Sequence, residues 1–197
     1  MTEPRLIHYL THPEVVIDPT LPIPRWHLAP EGIARARAAA RALPRPASIW
    51  SSTECKAIET AGLIAAHHAL PIQLHPGLDE NDRTSTGYLP PDQFQQAADR
   101  FFAHPDRSHQ GWERAIDAQS RVLAAWQDIL ARSPGPLLII GHGGTGTLLW
   151  CALTNHPIDR RHDTGRQGQY WTHDPITKTT SPAWRALEAL SLGEKVG

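Results

Sequence analysis

The sequence predicts an α/β sandwich with a largely parallel sheet, and two observations lead to this fold class. First, segments with strand character alternate with segments with helical character along the 197 residues, which is typical of parallel strands connected by helices. Second, residues 136–140, Pro-Leu-Leu-Ile-Ile, are apolar throughout, as expected for a strand buried on both faces of a sheet. The chain length suits a single domain over residues 1–197.

The first half of the chain is predicted to hold three strands and two helices. These elements are a strand at 5–11, a helix at 31–43, a strand at 48–50, a helix ending near His68 and a strand at 71–76. The proline-rich residues 13–30 form an extended loop, because proline donates no backbone hydrogen bond. Ser51 and Glu54 have the spacing of a capping box, which predicts that the second helix begins there.

The second half is predicted to continue the alternation after a long polar stretch. Its elements are a loop at 77–91, a short helix around Phe94 to Phe101, a loop at 104–111, a helix at about 112–131, the strand at 136–140, a helix at 147–153 and a loop at 155–168. Residues 168–173 and 182–187 are either two short strands or a strand and a terminal helix. Residues 77–111 are the candidate lid or substrate-recognition insertion, because loop-rich stretches of this length are often functional.

The composition excludes several function classes. The net charge is −1, so we expect no broad basic surface and no nucleic-acid partner. No stretch has the length and apolarity of a membrane span, and the N-terminus does not resemble a signal peptide. Cys55 and Cys151 suit buried thiols in a reducing compartment. We therefore expect a cytoplasmic protein with no membrane association.

Two of the twelve histidines follow predicted strands. His12 comes directly after the first strand, and His142 follows the apolar strand at 136–140. Ligands of open α/β sheets bind outside the carboxyl ends of the strands, so we expect these two side chains to converge on one substrate. Gly143 lies in the glycine-rich stretch before the following helix, where the backbone can approach a ligand closely and the N-terminus of the helix favours an anion.

A lysine in the first turn of a helix supports the same expectation. Lys56 follows the proposed capping box, and the helix dipole disfavours a cation at this position. A bound anion would compensate that effect. The alternative, a solvated surface lysine, is open on the sequence alone.

The chain resembles the histidine phosphatase superfamily, the phosphoglycerate-mutase-like group. The similar segments, in the family's order, are LTHP, HLAPEGIARARAAARAL, SSTECKAIETA, PGLDEND, GWERAIDAQSRV and LLIIGHGG, and together they cover most of residues 5–153. The family's fold implies a three-layer α/β/α sandwich with a mostly parallel central sheet.

The resemblance also implies an activity and roles for individual residues. His12 is implied as the nucleophile that becomes phosphohistidine, His142 as a second histidine that contacts the transferred phosphoryl group, and Glu80 as the proton donor. Lys56 lies where the family usually has an arginine. A neutral imidazole can attack phosphorus and so divide hydrolysis into two easier steps, a carboxylic acid can protonate the leaving oxygen, and no metal or cofactor is needed.

The chain departs from the family's pattern at two phosphate-binding positions. Thr11-His12-Pro13 replaces Arg-His-Gly, and Lys56 replaces an arginine. Losing a charged hydrogen bond costs about 1.5–3 kcal/mol, or about a tenfold to hundredfold loss of rate. We expect Arg83 to compensate, with Thr11 donating a hydroxyl hydrogen bond.

Two further residues are weaker candidates. Arg25 is a second candidate for the missing positive charge, although a surface position explains it equally well. Glu113 precedes a helix and is either a structural residue or an alternative acid to Glu80.

Four alternatives to a phosphatase follow from the same residues. The departures raise the alternative of a weak or inactive protein that binds a phosphorylated ligand without turning it over. A mutase would need a second basic cluster, which the sequence does not show. Gly141, Gly143 and Gly146 match G-x-G-x-x-G, but Asp159 and Asp163 lie in a polar loop and not at the strand end that a dinucleotide site needs. No group of histidines has the spacing of a metal site. This includes His67 with His68, and His156 with His162.

The expected partner is a small phosphorylated molecule or a phosphoprotein. The sequence leaves the oligomeric state open between a monomer and a homodimer.

Overall fold

The structure, a computed structural model, describes residues 6–182 and 184–190. The described strands are β1 (Ile7–Thr11), β2 (Ser48–Ser51), β3 (Ile72–Leu74), β4 (Leu137–Gly141), β5 (Gln169–Asp174), β6 (Thr179–Thr180) and β7 (Arg185–Ala186). The described α-helices are α1 (Pro30–Ala42), α2 (Cys55–His68), α3 (Pro91–Ala103), α4 (Ala115–Arg132) and α5 (Gly143–Thr154). Arg5, in the predicted first strand, and position 183, in the predicted last segment, lie outside the described residues.

The strands form one mixed sheet in the order β3-β2-β4-β1-β5-β6, with β7 also paired to β5. β1, β2, β3 and β4 are mutually parallel, whereas β5 runs antiparallel to β1. The predicted α/β class with a mostly parallel central sheet is therefore confirmed, and the antiparallel strands lie at one side. Residues 168–173 and 182–187 were predicted to form two short strands, or a strand and a terminal helix. The first interpretation is closer, because the described part of the second segment contains the short strand β7, followed by one 3-10 turn.

Helices cover both faces of the sheet, because successive side chains of a strand point to opposite faces. Tyr9 and Ile139 point to the face covered by α4 and α5, and Leu10 and Ile140 point to the face covered by α1 and α2. The second interface is rich in alanine, for example Ala39, Ala40, Ala57, Ala61 and Ala65. These two covered faces give the predicted three layers.

Two predicted helix starts are wrong. α2 begins at Cys55, and no side chain caps it, because the carboxylate of Glu54 bonds to other groups described below. α5 begins at Gly143 and not at 147, so the glycine-rich stretch after β4 is already helical.

The segment 77–111 contains α3, whose buried face packs against the start of α4. The cluster between them contains Phe101, Phe102, Trp112 and Ala118. Within the described residues, no helix combines the length and apolarity that crossing a membrane requires.

Candidate active site

The two histidines that follow β1 and β4 lie side by side. Thr11 and Gly141 are direct partners in the parallel pairing of these strands, and the backbone N–H of His12 donates to the carbonyl of Gly141 over 3.2 Å. The imidazole rings of His12 and His142 are therefore close, with 5.3 Å between centroids and 65° between planes. The expected convergence of these side chains is what the structure shows.

His12 is held with one ring nitrogen facing a backbone carbonyl. Its Nδ1 lies 2.9 Å from the carbonyl oxygen of Pro13, and a carbonyl only accepts hydrogen bonds, so Nδ1 carries the proton and Nε2 keeps its lone pair. Burial is the largest cause that lowers the pKa of His12 to about 3, and the neighbouring His142 and Lys56 contribute in the same direction. His12 is thus a neutral imidazole at pH 7.

His142 is fully buried behind His12. Its Nε2 lies 2.7 Å from the hydroxyl oxygen of Ser52 and 3.5 Å from a carboxylate oxygen of Glu54, while Nδ1 has no hydrogen-bond partner among the described residues. Burial lowers the pKa of His142 to about 4, although Glu54 opposes this shift. Ser52 and Glu54 are contacts that the sequence did not predict.

The glycines around His142 make room for two side chains. A Cβ atom at Gly141 would lie 2.1 Å from the hydroxyl of Tyr9, and one at Gly146 would lie 2.5 Å from its ring. The hydroxyl of Tyr9 accepts a hydrogen bond from the backbone N–H of His142 over 3.2 Å. At Gly144 a Cβ would lie 2.9 Å from the carboxylate of Glu80.

The match to G-x-G-x-x-G therefore reflects local packing. The next strand, β5, is antiparallel, unlike that of a dinucleotide-binding βαβ unit.

Lys56 is buried and forms an ion pair. It is 4% exposed, and its Nζ donates to the carbonyl of Ile23 over 3.1 Å and to the carboxylate of Glu54. The open alternative of a solvated surface lysine is therefore wrong. Burial raises the pKa of Glu54, but the charges at His142 and Lys56 outweigh this effect and leave it at about 2. Much of the positive charge of Lys56 is thus already neutralised.

Glu80 occupies the N-terminus of α5. Its carboxylate accepts hydrogen bonds from the backbone N–H groups of Gly144 at 3.2 Å and Thr145 at 2.9 Å. Its own backbone N–H donates to Glu54 over 2.9 Å. The anion expected at this helix terminus is therefore, in this structure, the carboxylate of Glu80.

Glu113 has a supporting position. Its carboxylate receives two hydrogen bonds from Arg121, of 3.0 and 2.7 Å. Arg121 also donates to the carbonyls of Gly77, Asp79 and Glu80 at 3.0–3.2 Å. Glu113 therefore fixes the segment that carries Glu80, and it does not line the cavity beside His12.

A cavity of about 280 Å³ opens beside His12, and we call it the histidine cavity. Its wall includes most of the predicted site residues, namely Thr11, His12, Lys56, Glu80, Arg83 and Gly143. Three predicted residues do not line it: Glu113, His142, which lies behind His12, and Arg25, which is exposed elsewhere. The hydroxyl of Thr11 accepts a 2.9 Å hydrogen bond from the backbone N–H of Gln169, so it also ties β1 to β5.

Positive charge reaches the histidine cavity from two segments. Arg83 stacks on the ring of Phe94 at 4.8 Å, burial lowers its pKa, and Glu80 and Glu54 oppose that shift. Arg160 and Arg166 line the cavity from the loop before β5. These two arginines were not predicted from the sequence, although the basic run at 160–161 was a signal for them.

Metal ligands do not cluster within the described ranges: no group of three or more histidine, cysteine or acidic side chains is suited to a metal ion. His156 and His162 instead lie against the ring of Trp150, with centroid distances of 5.0 and 5.1 Å. The arrangement of the site is that of a neutral imidazole beside a cavity with four cationic side chains, which suits attack on a phosphoryl group.

A family model for the histidine phosphatase superfamily, branch 1, matches residues 24–172, which is more than half of the chain. The chain belongs to the histidine phosphatase superfamily. The matched range begins after His12, so the Thr-His-Pro stretch lies outside it. Comparison with curated protein sequences gives no match.

Solved structures share the fold of this histidine phosphatase superfamily member. A mycobacterial glucosyl-3-phosphoglycerate phosphatase solved with inorganic phosphate has a TM-score of 0.73 and 20% identity, over 92% of this chain and 94% of that chain. The YhfR protein of Bacillus stearothermophilus has a TM-score of 0.72 and 22% identity, over 95% and 98%. The α-ribazole phosphatase of Shigella flexneri has a TM-score of 0.70 and 21% identity, over 96% and 99%.

Proposed function

We propose that this protein hydrolyses a phosphomonoester through a phosphohistidine intermediate on His12. The observation that carries the proposal is the hydrogen bond from His12 Nδ1 to the carbonyl of Pro13, because it leaves Nε2 unprotonated in the wall of the histidine cavity. Membership of the superfamily and the phosphatases among the similar structures support the same reaction class.

The reaction has two balanced steps. Before the first step, the carboxylate of Glu80 takes up a proton from solvent. In the first step, Nε2 of His12 forms a bond to phosphorus, the bond from phosphorus to the alcohol oxygen breaks, and Glu80 gives its proton to that oxygen. In the second, water attacks phosphorus, Glu80 takes the proton of the water, and the bond from nitrogen to phosphorus breaks. Lys56, Arg83 and Arg160 provide positive charge for the phosphoryl oxygens.

His142 acts on this reaction through its neighbour. Its ring packs against His12, and Ser52 orients it. Direct contact of His142 with the phosphoryl group stays a prediction, as does the participation of Thr11 and Gly143 in phosphate binding.

The small size of the histidine cavity favours a small phosphorylated molecule as substrate over a folded phosphoprotein. Cys55 and Cys151 are free thiols, which suits a reducing compartment, and we propose the cytoplasm.

A second candidate function is binding of a phosphorylated ligand without turnover. The ion pair between Glu54 and Lys56 favours it, because the carboxylate competes with phosphate for the lysine. A mutase is less well supported, since the acidic side chains beside the site disfavour a second anionic group on the substrate.

Hydrolysis of a phosphomonoester panel by the wild type and by His12→Ala tests the proposal. We expect turnover by the wild type, an acid-labile phosphohistidine in quenched reactions, and loss of both in His12→Ala. Phosphate binding without turnover on the whole panel, and without phosphohistidine, would establish the second candidate instead.

A further inference from the structure

A second and larger cavity adjoins the histidine cavity. Its volume is about 600 Å³, and residues 19–24 form one wall while the segment at 79–88 forms the other. We call it the proline-walled cavity, after Pro19, Pro22 and Pro24. Ile23, Glu80 and Arg83 line both cavities, so the two spaces meet at the proposed proton donor.

The wall at 19–24 is fixed in place by hydrogen bonds. Asp18 accepts a 2.9 Å bond from the backbone N–H of Thr20, and its carbonyl accepts a 2.8 Å bond from the indole of Trp26. Lys56 donates to the carbonyl of Ile23. Together with the fixed φ of three prolines, these bonds give a preformed wall, which reduces the entropy cost of binding a ligand.

The lining of this cavity combines apolar surface with negative charge. The apolar part comes from the prolines, Leu21, Ile23 and Tyr88. Of the acidic residues in the lining, Glu54 is paired with Lys56 and Glu80 carries the proton for the leaving oxygen, which leaves Asp79 and Asp82 as the negative charges beside Arg83.

Internal hydrogen bonds already occupy the two aspartates. Asp79 accepts 2.6 and 2.7 Å bonds from Thr53, and Asp82 accepts 2.9 and 2.8 Å bonds from Thr84. These hydrogen bonds leave the negative charges in place, so the acidic groups repel a further anion. Contact between the apolar wall and a hydrocarbon group removes both from water, which stabilises the bound state.

We propose that the proline-walled cavity binds the alcohol part of the substrate, and that this alcohol is mainly apolar and has no second anionic group. The inference rests on the proposed phosphatase function. When the phosphoryl group lies beside His12, the leaving oxygen must lie beside Glu80, and the alcohol then extends past Ile23 into the larger cavity. The alcohol leaves from there with the proton that Glu80 supplies.

Three phosphate esters of primary alcohols test the inference, because their leaving groups are chemically similar. We expect kcat/KM for 3-phenylpropyl phosphate to be at least tenfold higher than kcat/KM for glycerol 3-phosphate. We expect the same minimum ratio against 3-phosphoglycerate. Equal or faster hydrolysis of 3-phosphoglycerate would overturn the inference and leave the phosphatase function intact.

Two matched variants test whether this cavity is responsible. Leu21→Asp places a further carboxylate on the rim, and Ile176→Asp makes the same change at an exposed site in the turn between β5 and β6; these side chains are 40% and 59% exposed. Leu21→Asp is expected to lower the ratio of kcat/KM for 3-phenylpropyl phosphate to kcat/KM for glycerol 3-phosphate at least fivefold, while Ile176→Asp leaves both values and their ratio unchanged. Equal effects of the two variants would contradict the inference.

Binding of a non-hydrolysable ligand separates this inference from the proposed function. Calorimetry with 3-phenylpropylphosphonate and with 2-carboxyethylphosphonate measures the preference without turnover. Absence of hydrolysis on every ester, with at least tenfold tighter binding of the phenylpropyl compound, would overturn the phosphatase function and support the binding preference. Equal affinity for the two phosphonates would overturn the inference about the cavity.

Discussion

The carboxylate of Glu54 pairs with the ammonium group of Lys56 in the buried lining of the site. The two residues are 6% and 4% exposed, and the carboxylate also receives the backbone N–H of Glu80. Any phosphate that approaches Lys56 must compete with this pair. We therefore expect the negative charge of Glu54 to weaken the attraction of the site for phosphate.

Glu54→Gln is expected to strengthen phosphate binding and to weaken the fold. Glutamine keeps the shape and an acceptor oxygen but leaves the Lys56 charge unpaired, which costs about 3 kcal/mol of unfolding free energy. A bound phosphate then offsets that cost, so added phosphate or vanadate raises the unfolding temperature more in the variant than in the wild type.

Thermal unfolding with and without phosphate measures this effect. Glu59→Gln is the matched control, because Glu59 pairs with the exposed His27 and lines neither cavity. An identical phosphate-dependent shift in Glu54→Gln and the wild type would show that the ion pair does not compete with phosphate.

Glu80→Gln is expected to separate substrates by their leaving groups. An alkyl phosphate needs a proton on the leaving oxygen, so loss of the acid lowers its kcat/KM by about 10²–10⁴-fold. A 4-nitrophenyl ester leaves as a stable phenolate and is expected to lose less than tenfold. Steady-state kinetics on the two esters gives the comparison, and an equal loss on both would remove Glu80 from the role of proton donor.

Local sequence pattern was sufficient to predict the sheet and the positions of His12 and His142. An apolar run that ends in a histidine places that histidine at a strand end, and parallel strands bring their carboxyl ends to one edge. Neither inference needs knowledge of distant contacts. For this reason β1, β4 and their two histidines were predicted together.

The role of Glu54 could not be predicted in this way. Ser51 and Glu54 have the spacing of a capping box, yet the carboxylate bonds to Lys56 and to the backbone of Glu80. Its third neighbour, His142, follows a different strand. Glu80 lies 26 residues further along the chain, and only the folded sheet brings these groups together. Long-range partners outweighed the local preference here.

Removal of Arg121 is expected to destabilise the segment that presents Glu80. Its guanidinium bonds to Glu113 and to three backbone carbonyls of residues 77–80. Arg121→Met leaves the carboxylate of Glu113 unpaired, and we expect a loss of about 2 kcal/mol of unfolding free energy.

A double-mutant cycle with Glu113→Gln isolates the pair. Urea unfolding of the four proteins is expected to give a coupling energy of about 1–2 kcal/mol. A coupling near zero would mean that Arg121 acts through the carbonyls alone. Arg114→Met is the control, since Arg114 and Asp117 form an exposed pair.

The stability of the fold is expected to fall as the pH falls from 7 to 5.5. Burial, the largest cause in each case, lowers the pKa of His8 and His142 to about 4 and that of His12 to about 3. In the unfolded chain these histidines bind protons near their ordinary value of about 6.5. The unfolded state therefore holds more protons than the folded state below that pH, which favours unfolding as the solution becomes more acidic.

Over pH 7 to 5.5 each of these three histidines removes about 1.3 kcal/mol. Burial also lowers the pKa of His68, His162 and His173, which act in the same direction. Glu54 adds nothing in this range, because its carboxyl group is ionised in the folded and the unfolded chain alike. Urea unfolding at several pH values measures the slope. His8→Phe keeps an aromatic ring beside Tyr170 and removes one titrating group, so its loss should be about 1.3 kcal/mol smaller. A pH-independent unfolding free energy would show that the histidines titrate in the folded protein as they do in the unfolded chain, and a slope unchanged in His8→Phe would show this for His8.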